Sequence, residues 1–357
     1  MSPYVAGRPI DEVKRELGLD HVVKLASNEN PIGPSPMAVE AVREAAGRMH
    51  LYPDASGYEI KAKLAAKYGL GLDNVMLGNG SDEHIHLLGL VLLQAGDEMV
   101  LADPTFVRYA ASAELAGVQV VRVPLDNDLR HDVKAMAAAF TDKTKMVYVA
   151  NPHNPTGTVV TNYEVDHLVD SLPAGATLVL DEAYVEYARD SVSFPDSLSY
   201  IKSGKQVVSL RTFSKAYGLA GIRVGYGFAS PDLCDAINRA REPFDVNSLA
   251  QVAAVAALDD VQHLARSIAV NQEGMRRIVE AAKALGFKAV TSYANFVCIQ
   301  IDRPGTNVFD QLLKKGIIIR PGEPLGLPNH IRVSVGTPDE IDQFITAFNQ
   351  VMTQAIV

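Results

Sequence analysis

The sequence predicts an α/β protein: a large domain with a mostly parallel mixed sheet between helices, followed by a smaller α+β domain. Three observations lead there. Short apolar runs alternate with helical patterns through most of the chain. Those runs are nearly continuous in apolar residues, as strands are when helices cover both sheet faces. Past about residue 245 the texture changes to a long alanine-rich helical stretch and three further apolar runs. A chain of 357 residues also exceeds one ordinary core, so about two domains are expected.

The elements follow in chain order. Residues 1–36 are rich in turn formers. NENPIGPSP (28–36) is expected to be extended, because each proline biases its predecessor away from helix. This arm, 1–36, is expected to join the small domain. MAVEAVREAAGRMH (37–50) has helical periodicity and opens the large domain, 37–245. Strand-like runs follow at NVML (74–77), EMVLAD (98–103), VQVVRV (118–123), KMVYVA (145–150), TLVLDE (177–182), QVVSL (206–210) and IRVGYGF (222–228). SDEHIHLLGLVLLQ (81–94) and NYEVDHLVDSL (162–172) read as helices between them. The small domain, 246–357, carries a helical region at 247–285, then KAVTSYANFVCIQI (288–301), GIIIRPG (316–322) and HIRVSVGT (330–337).

Composition excludes several classes. The net charge of −9 offers no basic face for nucleic acid. Any anionic ligand must be held by a few local cations instead. Cys234 and Cys298 have no metal-type spacing, and no metal site is expected. The N-terminus lacks the apolar core of a signal peptide, and no apolar run approaches the ~20 residues of a bilayer span. A cytoplasmic protein without membrane contact is expected.

In open α/β sheets, ligands bind beyond the carboxyl ends of the strands. Reactive residues therefore matter most just after the strands. GNGSDE (78–83) turns tightly and opens a helix, so N–H groups near Ser81 and Asp82 can face an anion. Taken alone it is also an ordinary capped helix start. Asn154 follows a strand in NPHNPTG, and Asp181 and Tyr184 close another in LDEAY. A carboxylate emerging from LVL into a crevice is costly unless paired. Lys215 stands behind the hydroxyls of Thr212 and Ser214, with Arg223 eight residues on. Desolvation and nearby cations lower a lysine pKa, as a Schiff-base lysine requires.

GNGSDE, NPHNPTG, LDEAY and SLRTFSKAYGLAGIRVG (209–225) resemble the motifs of fold type I pyridoxal-phosphate aminotransferases. NENPIGPSP, LYPDASG (51–57) and IRVSVGT (331–337) are similar to the histidinol-phosphate branch. The resemblance covers residues from about 4 to 351. It implies that Lys215 is the Schiff-base lysine and proton carrier, and that Asp181 keeps the pyridine nitrogen protonated. Asn154 and Tyr184 are implied to bind the ring hydroxyl oxygen. Ser81, Asp82, Thr212, Ser214 and Arg223 are implied to hold the cofactor phosphate. Phe106 should stack on the ring, where the branch often carries tyrosine. Tyr52 is implied to reach the phosphate of a neighbouring subunit, making a homodimer with shared active sites. Arg332 resembles the arginine that grips the acidic group of the substrate, with Arg320 a second candidate. Asn28 lies in a segment expected to pass over the substrate, and Tyr4 and His21 are weaker candidates from the arm.

The implied reaction transfers the amino group of histidinol phosphate to 2-oxoglutarate, giving imidazole acetol phosphate and glutamate. An aromatic amino-acid aminotransferase would use the same cofactor site. A phosphothreonine decarboxylase would share the cofactor but break the bond to the carboxylate.

Overall fold

The computed structural model of the chain describes residues 7–191 and 193–353, with Ser112 described by its backbone alone. Among the described residues a seven-stranded sheet runs in the order Val75–Gly78, Gly225–Phe228, Val207–Thr212, Thr177–Asp181, Thr144–Ala150, Glu98–Asp103, Gln119–Pro124. The strands from Val207–Thr212 to Gln119–Pro124 are parallel to their neighbours. Gly225–Phe228 is antiparallel to both strands beside it. The three central parallel strands are buried almost throughout, because helices cover both faces and leave no polar face to alternate. Ala150 pairs with Asp181, so the carboxyl ends of these strands share one rim.

One strand is shorter than its apolar run. IRVGYGF predicts a strand from residue 222, but Ala220–Ile222 is a 3-10 turn and the strand is Gly225–Phe228. Arg223 lies between them at φ 62, a left-handed conformation that a long side chain rarely adopts. The turn aims its guanidinium at the turn that precedes Ser81.

A smaller antiparallel sheet has the order Arg320–Pro321, His330–Ser334, Phe296–Gln300, Lys288–Ala289. The run at 316–322 divides between two sheets: Ile317–Ile318 pairs in parallel with Val23–Lys24, whereas Arg320–Pro321 joins the four-stranded sheet. The N-terminal segment thereby adds Val23 and Leu25 to the core that holds Val297, Val333 and Phe344.

The alanine-rich region is two helices, Ser248–Asp259 and Val261–Ala284, divided at Asp260. The Asp260 carboxylate caps the second helix at His263 N and also accepts the Ser35 hydroxyl at 2.6 Å. Ser35 in turn caps Pro36–Ala45 through Met37 N. The expected boundary at 245/246 precedes a helix whose alanines, Ala250, Ala253, Ala254 and Ala257, pack with Ile60, Leu64 and Phe213 of the large core. Their small side chains admit the close helix approach that larger residues would block. Val261–Ala284 spans both cores, with Leu264 in the large one and Ile278 and Ala282 in the small one.

Beneath the rim, Glu182 Oε2 accepts from the Ser197 hydroxyl, the Ser209 hydroxyl and Arg211 Nε at 2.9, 2.6 and 2.9 Å. Glu182 and Arg211 are both buried. Removing one partner of a buried pair leaves the other charge uncompensated. Arg211→Met is expected to cost about 3–5 kcal/mol in denaturant unfolding. A loss below about 1 kcal/mol, the range of exposed pairs, would show that the two serines suffice to hold Glu182.

Candidate functional site

The rim gathers most of the residues singled out in the sequence. Lys215 follows Val207–Thr212, the neighbour of Thr177–Asp181 in the sheet. Its ammonium donates to Ser27 O at 3.3 Å and lies 5.7 Å from the centre of the Tyr184 ring. Burial first, and then the Arg332 charge, lower its pKa to about 8; Arg223 acts in the same direction, and Glu29 and Asp181 oppose it. The amine thus sits within electrostatic reach of cations from both sheets.

Asp181 is buried at the end of its strand. Tyr109 donates to its Oδ2 at 2.7 Å, and Ala183 N donates to Oδ1 at 3.1 Å. Burial still pushes its pKa up to about 6. A carboxylate in that state gains most from a cationic partner. Tyr109 was not among the residues expected at the site. The ring of Tyr109 stacks on Tyr148 at 4.5 Å, and Phe106 meets it edge-on at 5.5 Å. Tyr109 lies in the first turn of the helix Arg108–Leu115, and its N donates to Phe106 O at 3.2 Å.

An anion cradle lies at the same rim. The helix Ser81–Leu92 begins there with unsatisfied N–H groups, and Asp82 and Glu83 stand in its first turn. A Cβ on Gly225 would overlap Ser81 N, and a Cβ on Gly80 would overlap the Arg223 guanidinium. Close backbone approach requires the glycine at 225, and the left-handed φ of 85 favours it at 80. The Thr212 hydroxyl donates to Ser214 Oγ at 3.0 Å, and Arg223 Nη1 reaches the same Oγ at 3.5 Å. Arg223 Nη2 also donates to Asn79 O at 3.4 Å. The Asp82 carboxylate turns aside to accept from Arg108 Nε at 3.0 Å. From Asp82 only the backbone N–H is left to face an anion.

The small sheet closes the site from the other side. Arg332 is buried, donates from Nη1 to Asn154 Oδ1 at 2.6 Å and from Nη2 to Ala26 O at 2.9 Å. Its guanidinium lies 5.1 Å from the centre of the Phe296 ring. Arg320 pairs directly across the sheet with Arg332, so both side chains leave the same face. Asn28, at φ 55, donates from Nδ2 to the Tyr184 hydroxyl at 2.9 Å and accepts from the Ser334 hydroxyl at 2.8 Å. Asn154 and Tyr184, both expected beside one oxygen, are thus tied to Arg332 and Asn28.

Three expected residues stand apart. Tyr52 is 83% exposed and stacks on Phe244 at 4.6 Å, with no described contact to Lys215, Asp181 or Arg223. His21 is exposed on the N-terminal segment. Tyr4 lies outside the described residues. Among the described residues there is no cluster of metal-ligating side chains, and no helix is long and apolar enough to cross a membrane.

The chain is similar to known proteins over nearly its whole length. The chain is 48% identical over 353 residues to a histidinol-phosphate aminotransferase of Moorella thermoacetica, covering 99% of this chain and 91% of that protein. It is 44% identical to histidinol-phosphate aminotransferase 2 of Carboxydothermus hydrogenoformans, covering 99% and 97%. Its structure superposes with a TM-score of 0.90 on the histidinol-phosphate aminotransferase of Sinorhizobium meliloti solved in complex with pyridoxal-5'-phosphate, at 31% identity and covering 98% and 95%. A Thermus thermophilus aspartate aminotransferase variant, 23% identical with a TM-score of 0.86, shares the fold over 98% of this chain and 97% of its own. Residues 20–348 match the description of aminotransferase class I and II, and the chain belongs to that family.

Proposed function

We propose that the chain is a pyridoxal-phosphate-dependent aminotransferase that transfers the amino group of histidinol phosphate to 2-oxoglutarate in histidine biosynthesis. One observation carries the reading: the half-buried amine of Lys215, held at Ser27 O, lies within electrostatic reach of Arg332, Arg223 and Asp181. That set unites a nucleophile, an anion cradle and a substrate-side cation.

The residues present fit the cofactor. Gly80 and Gly225 leave room for the cradle, and its donors are helix N–H groups, hydroxyls and one guanidinium, the set a phosphate monoester takes. Ser81, the Asp82 N–H, Thr212, Ser214 and Arg223 would hold that phosphate. Asp181 would hold a protonated ring nitrogen, and the Tyr109 hydroxyl keeps its carboxylate oriented. Phe106 would cover the ring. When bound, pyridoxal phosphate supplies an electron sink for the pair left behind when a substrate Cα loses its proton. Lys215, in its neutral form, takes that proton and returns it. Asn154 Oδ1 accepts from Arg332, and its Nδ2 would donate to the ring oxygen. Asn28 fixes the Tyr184 hydroxyl for the same task. Arg332, with Arg320 beside it, would bind the phosphate of one substrate and the carboxylate of the other.

The exposed stack of Tyr52 on Phe244 supports a homodimer in which Tyr52 completes the partner's cradle. A cytoplasmic setting accords with this soluble biosynthetic role.

Three outcomes test these assignments. The apo-protein should take up pyridoxal phosphate at a rate that rises with pH through about 8, because Lys215 is a nucleophile only after losing its proton. Arg332→Gln removes a cation and should move that midpoint upward; Lys215→Ala should fold and lose nearly all turnover. An unmoved midpoint would sink the coupling between the two residues. Mixing Lys215→Ala with Tyr52→Ala subunits should restore activity to about a quarter of wild type, one working site in each mixed dimer. No recovery despite demonstrated subunit exchange would place Tyr52 outside the partner's site. Arg320→Ala should reduce kcat/KM for histidinol phosphate about tenfold or more and affect phenylalanine less, since a charged hydrogen bond is worth ~1.5–3 kcal/mol. Wild-type preference for phenylalanine, unchanged in Arg320→Ala, would replace the proposal with an aromatic amino-acid aminotransferase.

A further inference from the structure

His153 is buried in the turn that carries Asn154, and the reaction does not use it. Its ring is hydrogen-bonded at both nitrogens. Nδ1 lies 2.8 Å from Thr156 Oγ1, and Nε2 lies 3.3 Å from Thr105 Oγ1. Thr105 immediately precedes Phe106 and follows Glu98–Asp103, whereas His153 and Asn154 follow Thr144–Ala150. The imidazole therefore bridges two turns that leave different strands. Pro104 has no N–H and cannot pin the first of these turns by a backbone donor, which leaves more of that task to the Thr105 side chain.

The available protons fix the direction of every bond in this chain. Leu129 O can only accept, so Thr158 Oγ1 gives its proton to it, at 3.1 Å. Thr156 Oγ1 and Thr158 Oγ1 are 2.8 Å apart; with the Thr158 proton committed, Thr156 is the donor. Thr156 Oγ1 then has only lone pairs left, one of which accepts from Thr158 N at 3.4 Å. His153 Nδ1 must donate to the other. Burial holds the His153 pKa well below its ordinary value, so the ring is neutral and carries a single N–H. Nε2 is therefore a lone pair, and the Thr105 hydroxyl donates to it. His131, whose ring meets His153 edge-on at 4.4 Å, is the opposite tautomer. Burial lowers its pKa to about 4, and its Nε2 donates to Ala150 O at 3.0 Å.

We propose that His153, protonated on Nδ1 and accepting from Thr105 at Nε2, is a positioning residue that sets where Phe106 stands over the cofactor ring relative to Asn154 at the ring oxygen. This rests on the reading of Phe106 and Asn154 as cofactor contacts. His153 itself touches no reacting atom. Its own turn is fixed by His153 N donating to Thr158 O and Gly157 N donating to His153 O, both at 2.7 Å. The Thr105 bond extends that rigidity to the neighbouring turn. Without it, the cover over the ring can shift while the Asn154 turn stays in place.

Long-range 1H–15N correlation of the 15N-histidine-labelled apo-protein should show His153 protonated on Nδ1 and His131 on Nε2. A proton on His153 Nε2, turned to Pro104 O as the neighbouring backbone acceptor, would overturn the proposal. Thr105→Val keeps the side-chain shape and removes the hydroxyl. Its affinity for pyridoxal phosphate should fall about three- to tenfold, the usual contribution of one neutral hydrogen bond. The visible circular dichroism of the bound cofactor should change with it, because the ring cover moves. Thr105→Ser should restore both. Wild-type affinity and dichroism in Thr105→Val would overturn the positioning role, and so would a defect that serine does not rescue. His153→Asn keeps an amide donor near the place of Nδ1 but does not reach Thr105. Combined with Thr105→Val, it should cost no more cofactor affinity than His153→Asn alone, and additive losses would overturn the link. If His153→Asn does not fold, the two Thr105 variants and the tautomer decide. If wild type takes up no pyridoxal phosphate, the proposed function itself fails and the positioning role with it, while the tautomer in the apo-protein still decides the hydrogen-bond chain.

Discussion

The bond from Arg332 Nη1 to Asn154 Oδ1 joins the small sheet to the rim of the large one, and the site depends on that junction. Arg332 belongs to His330–Ser334, and Asn154 follows Thr144–Ala150, far away in the chain. Their contact brings a guanidinium close enough to Lys215 to lower its pKa. It also roofs the amine, so that desolvation can act. Tyr293 N reinforces the junction by donating to Gly157 O at 2.8 Å. Gly157 has φ 82, and a Cβ there would overlap Ser292. The close approach therefore needs glycine. The helix Val261–Ala284, with one end in each core, sets the orientation in which these contacts form.

Holding an anion in a chain of net charge −9 requires local solutions. The general field opposes the ligand, so attraction must come from short-range donors. The structure supplies them from three directions: helix N–H groups at Ser81, hydroxyls at Thr212 and Ser214, and Arg223 held by a left-handed backbone. Acidic side chains near the cradle are occupied elsewhere. Asp82 is turned to Arg108, and Glu83 to Asn79 N. Each carboxylate is bound by a specific donor, which keeps its charge from the centre of the cradle.

Much of this was legible before any coordinates. Parallel strands between helices must be apolar on both faces, so the runs at 98–103, 145–150, 177–182 and 206–210 announced themselves. Brevity hid other elements. The run at 316–322 gave no sign that it would split between two sheets, because two-residue strands have no period. The break at Asp260 was obscured by alanines on both sides, although an aspartate at that place is a capping residue. The strand expected from 222 was shortened by a backbone conformation that apolar patterning does not encode.

The sequence by itself determined the chemistry available: the motifs around Ser81, Asn154, Asp181 and Lys215 name the groups and their order after the strands. Covalent identity and local spacing are enough for that. Tertiary structure alone decided which groups meet. Tyr109 on Asp181, Asn28 on Tyr184 and Arg332 on Asn154 are contacts across 72, 156 and 178 positions. No local pattern carries such pairings. They arise from sheet register and from the packing of two cores, and with them come the desolvation and charge proximity that set each pKa.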